Sequence, residues 1–195
     1  MTVAVFLDRD GTMNVEKGYI RNVDDLELIP GVAQSVRKLN DAGILAILTT
    51  NQTGAARGFY DVAHIHALNA RVAQLLKEQA DAHLDAVFYC PHLAKGTVEE
   101  FAIECDCRKP EPGMILQACK QFPDIDLPQS YVLGDKASDV AFAYNAGCRG
   151  ILLKTGYGER VLAGKYQTLT HQPHFVCDDL PQAVDVILSR INACV

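Results

Sequence analysis

The stretch Val3-Ala4-Val5-Phe6-Leu7-Asp8-Arg9-Asp10-Gly11-Thr12 decides how this chain is read. Five apolar residues run without a polar break, then meet two acids, a glycine and a hydroxyl. A strand with one wet face alternates apolar with polar. A strand apolar throughout is covered on both faces, as in a parallel sheet sandwiched by helices. Asp and Gly then provide the turn out of it. The pattern recurs along the chain. Apolar runs at 44–49, 86–89, 131–133 and 150–153, with a weaker one at 175–177, predict further strands. Helical spacing separates them. Residues 31–42 carry Val32, Val36 and Leu39, and Gly43 stops them; residues 61–81 carry Val62, Ile65, Leu68, Val72, Leu75 and Leu76. Residues 112–121 and 137–146 read as helices, and Asp179 caps a last one, with Pro181 just inside and Val184, Ile187, Leu188 and Ile191 on one face. The expected class is α/β, a doubly wound, Rossmann-like parallel sheet. It is expected to form one domain over residues 1–195.

Composition agrees. Of 195 residues, 49% are hydrophobic and 22% charged, an ordinary globular balance that excludes collagen-like and mostly disordered chains. No run approaches the roughly 20 apolar residues that cross a bilayer, and the apolar start is too short for a secretory signal, so a cytoplasmic address is expected. Eighteen Lys and Arg against 24 Asp and Glu leave a net charge of −6, which argues against broad attraction to nucleic acid or anionic membranes. A small anionic molecule is the expected partner, and an enzyme of this size can work as a monomer. Seven cysteines without an export signal favour metal binding or buried thiols over disulfides.

In doubly wound sheets, ligands sit beyond the carboxyl ends of the strands. The residues there are informative. Asp8-Arg9-Asp10-Gly11-Thr12 follows the first strand, Thr50-Asn51-Gln52-Thr53-Gly54 the second, Arg108-Lys109-Pro110 closes the loop after the third, and Gly134-Asp135-Lys136 ends the fourth, with Asp139 beyond. Carboxylates converging from neighbouring strands repel unless a cation lies between them. Hard oxygen ligands suit Mg²⁺, which can also polarise a phosphoryl group. Thr50 adds a hydroxyl and Lys109 a fixed positive charge, the parts that phosphoryl transfer needs. Asp139 equally suits a helix cap. Arg9, Lys17, Arg57, Arg108, Lys109 and Lys136 lie in or beside these loops and would offset the net acidity for an anion.

A second constellation follows the third strand. Cys90-Pro91-His92, twelve residues, then Cys105-Asp106-Cys107 supply three thiolates and an imidazole, a complete tetrahedral set for structural Zn²⁺ in a loop over 90–109. The spacing is not that of a zinc finger. No coordination position stays open, so the metal would fix Arg108 and Lys109 rather than catalyse. Cys119, Cys148, Cys177 and Cys194 read as small buried hydrophobes. His64, His66, His83, His171 and His174 have no motif partners, and residues 157–174 carry no motif at all.

Asp8-Arg9-Asp10-Gly11-Thr12, Thr50, Lys109 and Gly134-Asp135 with Asp139 resemble the four motifs of the haloacid dehalogenase (HAD) superfamily of phosphatases. The resemblance implies Asp8 as nucleophile and Asp10 as general acid/base. It implies Mg²⁺ on the Asp8 side chain, the Asp10 carbonyl and Asp135, and Thr50 and Lys109 on the phosphoryl oxygens. The segment between Thr12 and Gly31 is too short for the large cap domain that many members carry, so the site should be open. The longer strings, including Asn14-Val15-Glu16-Lys17-Gly18-Tyr19 and the Cys/His loop, resemble the heptose bisphosphate phosphatase branch, bacterial enzymes of nucleotide-heptose synthesis. That implies substrate contacts from Glu16, Lys17, Gly18, Tyr19, Asn51, Gln52, Thr53, Arg108 and Lys136. Thr53 stands where Ser is more usual and Met13 where Ile or Leu is, both mild changes.

Three alternatives remain. The histidinol-phosphate phosphatases share the zinc loop but fit residues 16–19 less well. A phosphorelay receiver would need an acceptor Asp after the third strand, where Tyr89-Cys90-Pro91 stands. A non-catalytic zinc module would have no need of Asp8 and Asp10.

Overall fold

The computed structural model describes residues 1–192, so Cys194 lies outside the described residues. Six strands form one sheet: β1 (Ala4–Leu7), β2 (Leu45–Asn51), β3 (Ala86–Cys90), β4 (Tyr131–Gly134), β5 (Arg149–Leu153) and β6 (Phe175–Cys177). Their order is β3-β2-β1-β4-β5-β6, with every pairing parallel. Between them run α1 (Val32–Asp41), α2 (Val62–Ala80), α3 (Gly113–Gln121), α4 (Ala137–Ala146), α5 (Gly158–Leu162) and α6 (Leu180–Asn192).

The two-residue alternation of the strands distributes side chains to two cores. Val5 and Leu7 of β1 join Ala46, Leu48, Leu133 and Ile151 on one face, under Val36 and Leu39 of α1, Leu68 and Val72 of α2, and Val184 and Ile187 of α6. Ala4 and Phe6 point the other way, with Ile47 and Val132, against Met114 and Ile115 of α3 and Phe142 of α4. This is why the central strands read as continuous apolar runs: neither of their faces meets water. The helix signals also hold. Asp61 accepts the backbone N–H of His64 at 2.8 Å and Asp179 that of Gln182 at 2.9 Å, both at the starts of helices. Cys148 and Cys177 are buried as expected, and Cys119 packs half-buried on the second core. No helix among the described residues is long and apolar enough to cross a membrane.

The chain winds outward from β1 in both directions, so the order reverses between β1 and β4. The crevice at such a reversal is where doubly wound sheets bind ligands. Here it lies between the ends of the strands that deliver Asp8 and Asp135. Residues 13–29 add only a short 3-10 turn, Val23–Asp25, and bury Met13, Ile20 and Leu26 in the first core. Residues 157–174, silent in the sequence, contain α5 and return to the crevice.

Candidate active site

The carboxyl ends of β1, β2 and β4 and the loop before α3 open onto a cleft of about 500 Å³. Asp8 leaves β1 with its backbone N–H donating to the carbonyl of Leu133 on β4 at 2.9 Å, which ties the two strand ends together. Its side chain is 7% exposed. Lys109 Nζ donates to Asp8 Oδ1 at 2.8 Å, and Lys136 Nζ stands 3.6 Å from Oδ2. Burial alone would raise the Asp8 carboxyl; the two ammonium groups outweigh it and hold Asp8 below the ordinary aspartate value. The group is therefore an anion, as a nucleophile must be.

Lys109 is itself buried, with Asp139 Oδ1 at 2.7 Å on its other side. Burial works against its charge, but Asp139 and Asp8 more than compensate, so it stays protonated. Asn51 fixes its backbone: the Asn51 side chain accepts the Lys109 N–H at 3.1 Å and donates to its carbonyl at 3.2 Å. Asp139 does two jobs. Its Oδ2 accepts the Lys136 N–H at 3.0 Å and so caps α4, while Oδ1 holds Lys109.

Asp135 is fully buried. Burial pushes its carboxyl up to about 7; the charges of Asp8 and Asp139 add to the rise and Lys136 opposes it. Its Oδ2 accepts the backbone N–H of Tyr157 at 2.8 Å. Gly11 and Gly156 flank it, and a Cβ on either would fall 2.2 or 2.1 Å from Oδ2, so only glycines admit this carboxylate. Oxygens of Asp8, Asp135 and Asp139 lie within 4.8 Å of one another. Lys136 Nζ reaches Asp135 Oδ1 at 2.9 Å and the Asp10 carbonyl at 3.2 Å. Thus one ammonium touches the three oxygens expected to hold Mg²⁺: the Asp8 carboxylate, the Asp10 carbonyl and the Asp135 carboxylate. Hard oxygens converging from the Asp8 and Asp135 side chains and the Asp10 carbonyl are a donor set that fits a divalent cation such as Mg²⁺.

Of the other expected residues, Glu16, Gly18, Tyr19, Thr50, Asn51, Gln52, Thr53, Arg108 and Lys136 line the cleft with Asp8, Asp10 and Lys109. Thr50 is buried at its floor. Tyr19 and Thr53 meet through their hydroxyls at 3.3 Å across two loops. Glu16 accepts the Gly18 N–H, and partial burial raises its carboxyl against the pull of Lys136.

Three expectations about positive charge need correction. Lys17 turns away, with Nζ 2.9 Å from the carbonyl of Asp25 and 3.2 Å from Glu27. Arg57 is exposed and faces a second hollow beside Arg108. Arg9 is 2% exposed and points inward to Asp10, Gln52 and Asn69. Conversely, Tyr60, Ser138, Tyr157, Tyr166 and Gln167 line the cleft without having been singled out. The rings of Tyr157 and Tyr166 stack at 4.3 Å, and Lys136 Nζ lies 5.4 Å over Tyr157.

Beside the cleft, Cys90, His92, Cys105 and Cys107 bring their ligand atoms within 4.8 Å of one another. Cys105 Sγ is 3.5 Å from Cys90 Sγ and 3.4 Å from Cys107 Sγ; His92 Nδ1 is 3.4 Å from Cys107 Sγ. The edge of a tetrahedron with metal–sulfur bonds near 2.3 Å is about 3.8 Å, so this donor set is pre-shaped for a tetrahedral metal. Arg108, next in sequence, donates to the His92 carbonyl at 3.1 Å.

A parallel sheet with order 3-2-1-4-5-6, and buried carboxylates, lysines and a threonine at its crevice, defines a phosphatase of the HAD type. Comparison with known proteins agrees. The HAD-hydrolase-like family model matches residues 106–183. The D-glycero-D-manno-heptose-1,7-bisphosphate 7-phosphatase of Thermosynechococcus vestitus is 49% identical over 191 residues, covering 96% of each chain. The D-glycero-beta-D-manno-heptose-1,7-bisphosphate 7-phosphatase of Escherichia coli K12 is 44% identical over 155 residues, 78% of this chain and 80% of the other. The crystal structure of D,D-heptose 1.7-bisphosphate phosphatase from B. bronchiseptica, complexed with magnesium and phosphate, superposes with a TM-score of 0.83 at 32% identity, over 97% of this chain and 99% of that one. The chain belongs to the D-glycero-D-manno-heptose-1,7-bisphosphate 7-phosphatase family.

Proposed function

We propose that this chain removes the 7-phosphate of D-glycero-D-manno-heptose 1,7-bisphosphate through an aspartyl-phosphate on Asp8. The observation that carries the reading is the Asp8 carboxylate, buried and kept anionic between Lys109 and Lys136 at the crevice of the sheet. Asp8 attacks phosphorus in line as the bond to the sugar oxygen breaks, and that oxygen takes a proton from Asp10. Water then attacks phosphorus, Asp10 takes its proton, and the bond to Asp8 breaks. Thr50 and Lys109 hold the phosphoryl oxygens. The Asp8 side chain, the Asp10 carbonyl and Asp135 would hold Mg²⁺. When bound, that ion supplies a Lewis acid that offsets charge on the phosphoryl group.

Selectivity for the sugar falls to Glu16, Gly18, Tyr19, Asn51, Gln52, Thr53, Arg108 and Lys136. Cys90, His92, Cys105 and Cys107 would hold a structural Zn²⁺, which would fix the approach of Arg108 and Lys109. The reading places the protein in nucleotide-heptose synthesis for the lipopolysaccharide core, as a cytoplasmic monomer acting on a small sugar phosphate.

Steady-state kinetics on heptose 1,7-bisphosphate and histidinol phosphate tests this, with the released position followed by phosphorus NMR. The expected kcat/KM favours the heptose by at least about 100-fold, with heptose 1-phosphate as product. Preference for histidinol phosphate, or release of the 1-phosphate, would overturn it.

A further inference from the structure

Arg9 sits between the two acids of the Asp8-Arg9-Asp10 string, where a cation would naturally be assigned to the substrate phosphate. The structure gives it a different place. It is the largest of the fully buried side chains and does not line the cleft. Its guanidinium is spent on protein groups. Nη2 donates to Asp10 Oδ2 at 3.0 Å and to Gln52 Oε1 at 2.9 Å; Nε lies 3.3 Å from Asp10 Oδ1. Nη1 donates to Asn69 Oδ1 at 3.1 Å, and Asn69 is a buried residue of α2. Asp10 is then held from two more sides. Gln52 Nε2 donates to its Oδ2 at 2.9 Å and to Thr50 Oγ1 at 2.8 Å, and Asn14 Nδ2 donates to its Oδ1 at 3.1 Å. The Tyr60 hydroxyl closes the set on Gln52 Oε1 at 3.3 Å.

A planar guanidinium in a fixed fork constrains orientation more than a flexible ammonium does. Burying it is costly unless its donors find partners, and here Nε, Nη1 and Nη2 each have one, in Asp10, Asn69, and Asp10 with Gln52. The network spans β1, β2 and α2, so the aim of the Asp10 carboxylate is set by the frame of the protein rather than by its own exit turn. An acid/base that serves two successive steps gains from being fixed, because an ångström of drift is expensive in rate.

We infer that Arg9, anchored by Asn69, is a positioning residue for the reaction. It aims the Asp10 carboxylate into the cleft and, through Gln52, ties that aim to the Thr50 hydroxyl, and it makes no contact with the phosphate itself. This rests on the reading of Asp10 as acid/base.

The test is a double-mutant cycle on the magnesium-loaded, full-length protein with heptose 1,7-bisphosphate. Arg9→Met should lower kcat by about tenfold or more with KM within about twofold, and Arg9→Lys should recover only part of it. Asn69→Ala, which leaves Arg9 in place and lies away from the cleft, should lower kcat by about threefold or more; it decides the matter if Arg9→Met does not fold. In an Asp10→Ala background, neither substitution should cost more than about twofold further, because there is no carboxylate left to aim. Losses that multiply in that background, a KM that rises with kcat unchanged, or full activity in Asn69→Ala and Arg9→Lys together would overturn the inference. Asp10→Ala alone separates the two levels: if it retains wild-type turnover, the acid/base reading fails; if it is impaired while the Arg9 and Asn69 variants are not, only the positioning role fails.

Discussion

Lys109 is buried between Asp8 and Asp139, so removing its charge leaves two buried carboxylates with only the more distant Lys136 to balance them. Breaking a buried pair from one side costs about 3–5 kcal/mol. Lys109→Met should therefore lose that much stability in urea unfolding as well as activity; a variant inactive but as stable as the parent would mean that Lys109 does not pair as described. At this scale the sequence is legible where residue type and strand-end position together restrict the chemistry. Asp8, Thr50 and Asp135 stand at three strand ends and Lys109 closes the loop between β3 and α3, and the structure brings all four to one crevice. Direction is not legible in the same way. Arg9, Lys17 and Lys136 are all loop cations in the sequence, yet one turns into the core, one to the rim and one into the carboxylate cluster. Which way each points depends on partners far along the chain, such as Asn69 for Arg9 and Glu27 for Lys17.

Between strands β3 and β4 the loop carrying Cys90, His92, Cys105 and Cys107 has little regular structure beyond the short turn Glu99–Phe101. A loop of that kind needs a cross-link to hold Arg108 and Lys109 in place. Purified protein should carry one equivalent of zinc by elemental analysis. Cys107→Ser should lose it, with a lower melting temperature and reduced activity; a zinc-free but fully active protein would contradict the structural-metal reading. Paired spacing made this loop readable. The segment from Tyr157 to Gln167 was not, because its one helix, Gly158–Leu162, is too short to show a period. Its contribution to the cleft is a backbone N–H on Asp135 and a stack of two tyrosines, neither of which has a spacing signature.

The whole molecule follows from strands covered on both faces. Phe6 points into the core under α3 and α4, whereas Val87 on the edge strand β3 is 39% exposed. Phe6→Ala should cost about 3–5 kcal/mol, and Val87→Ala about 0.5 kcal/mol or less, both by urea unfolding. Equal costs would contradict the layering. Alternating strand and helix patterns predict the parallel class but not the strand order, which depends on long-range pairing that local sequence does not encode. That order puts the reversal between β1 and β4, and so puts Asp8 opposite Asp135. The most direct test of the resulting site is to quench turnover of heptose 1,7-bisphosphate with acid and locate the trapped phosphoryl group by peptide mass spectrometry. The account predicts it on the peptide carrying Asp8, and its disappearance in Asp8→Asn. A phosphoryl group on another residue, or normal turnover in Asp8→Asn, would contradict it.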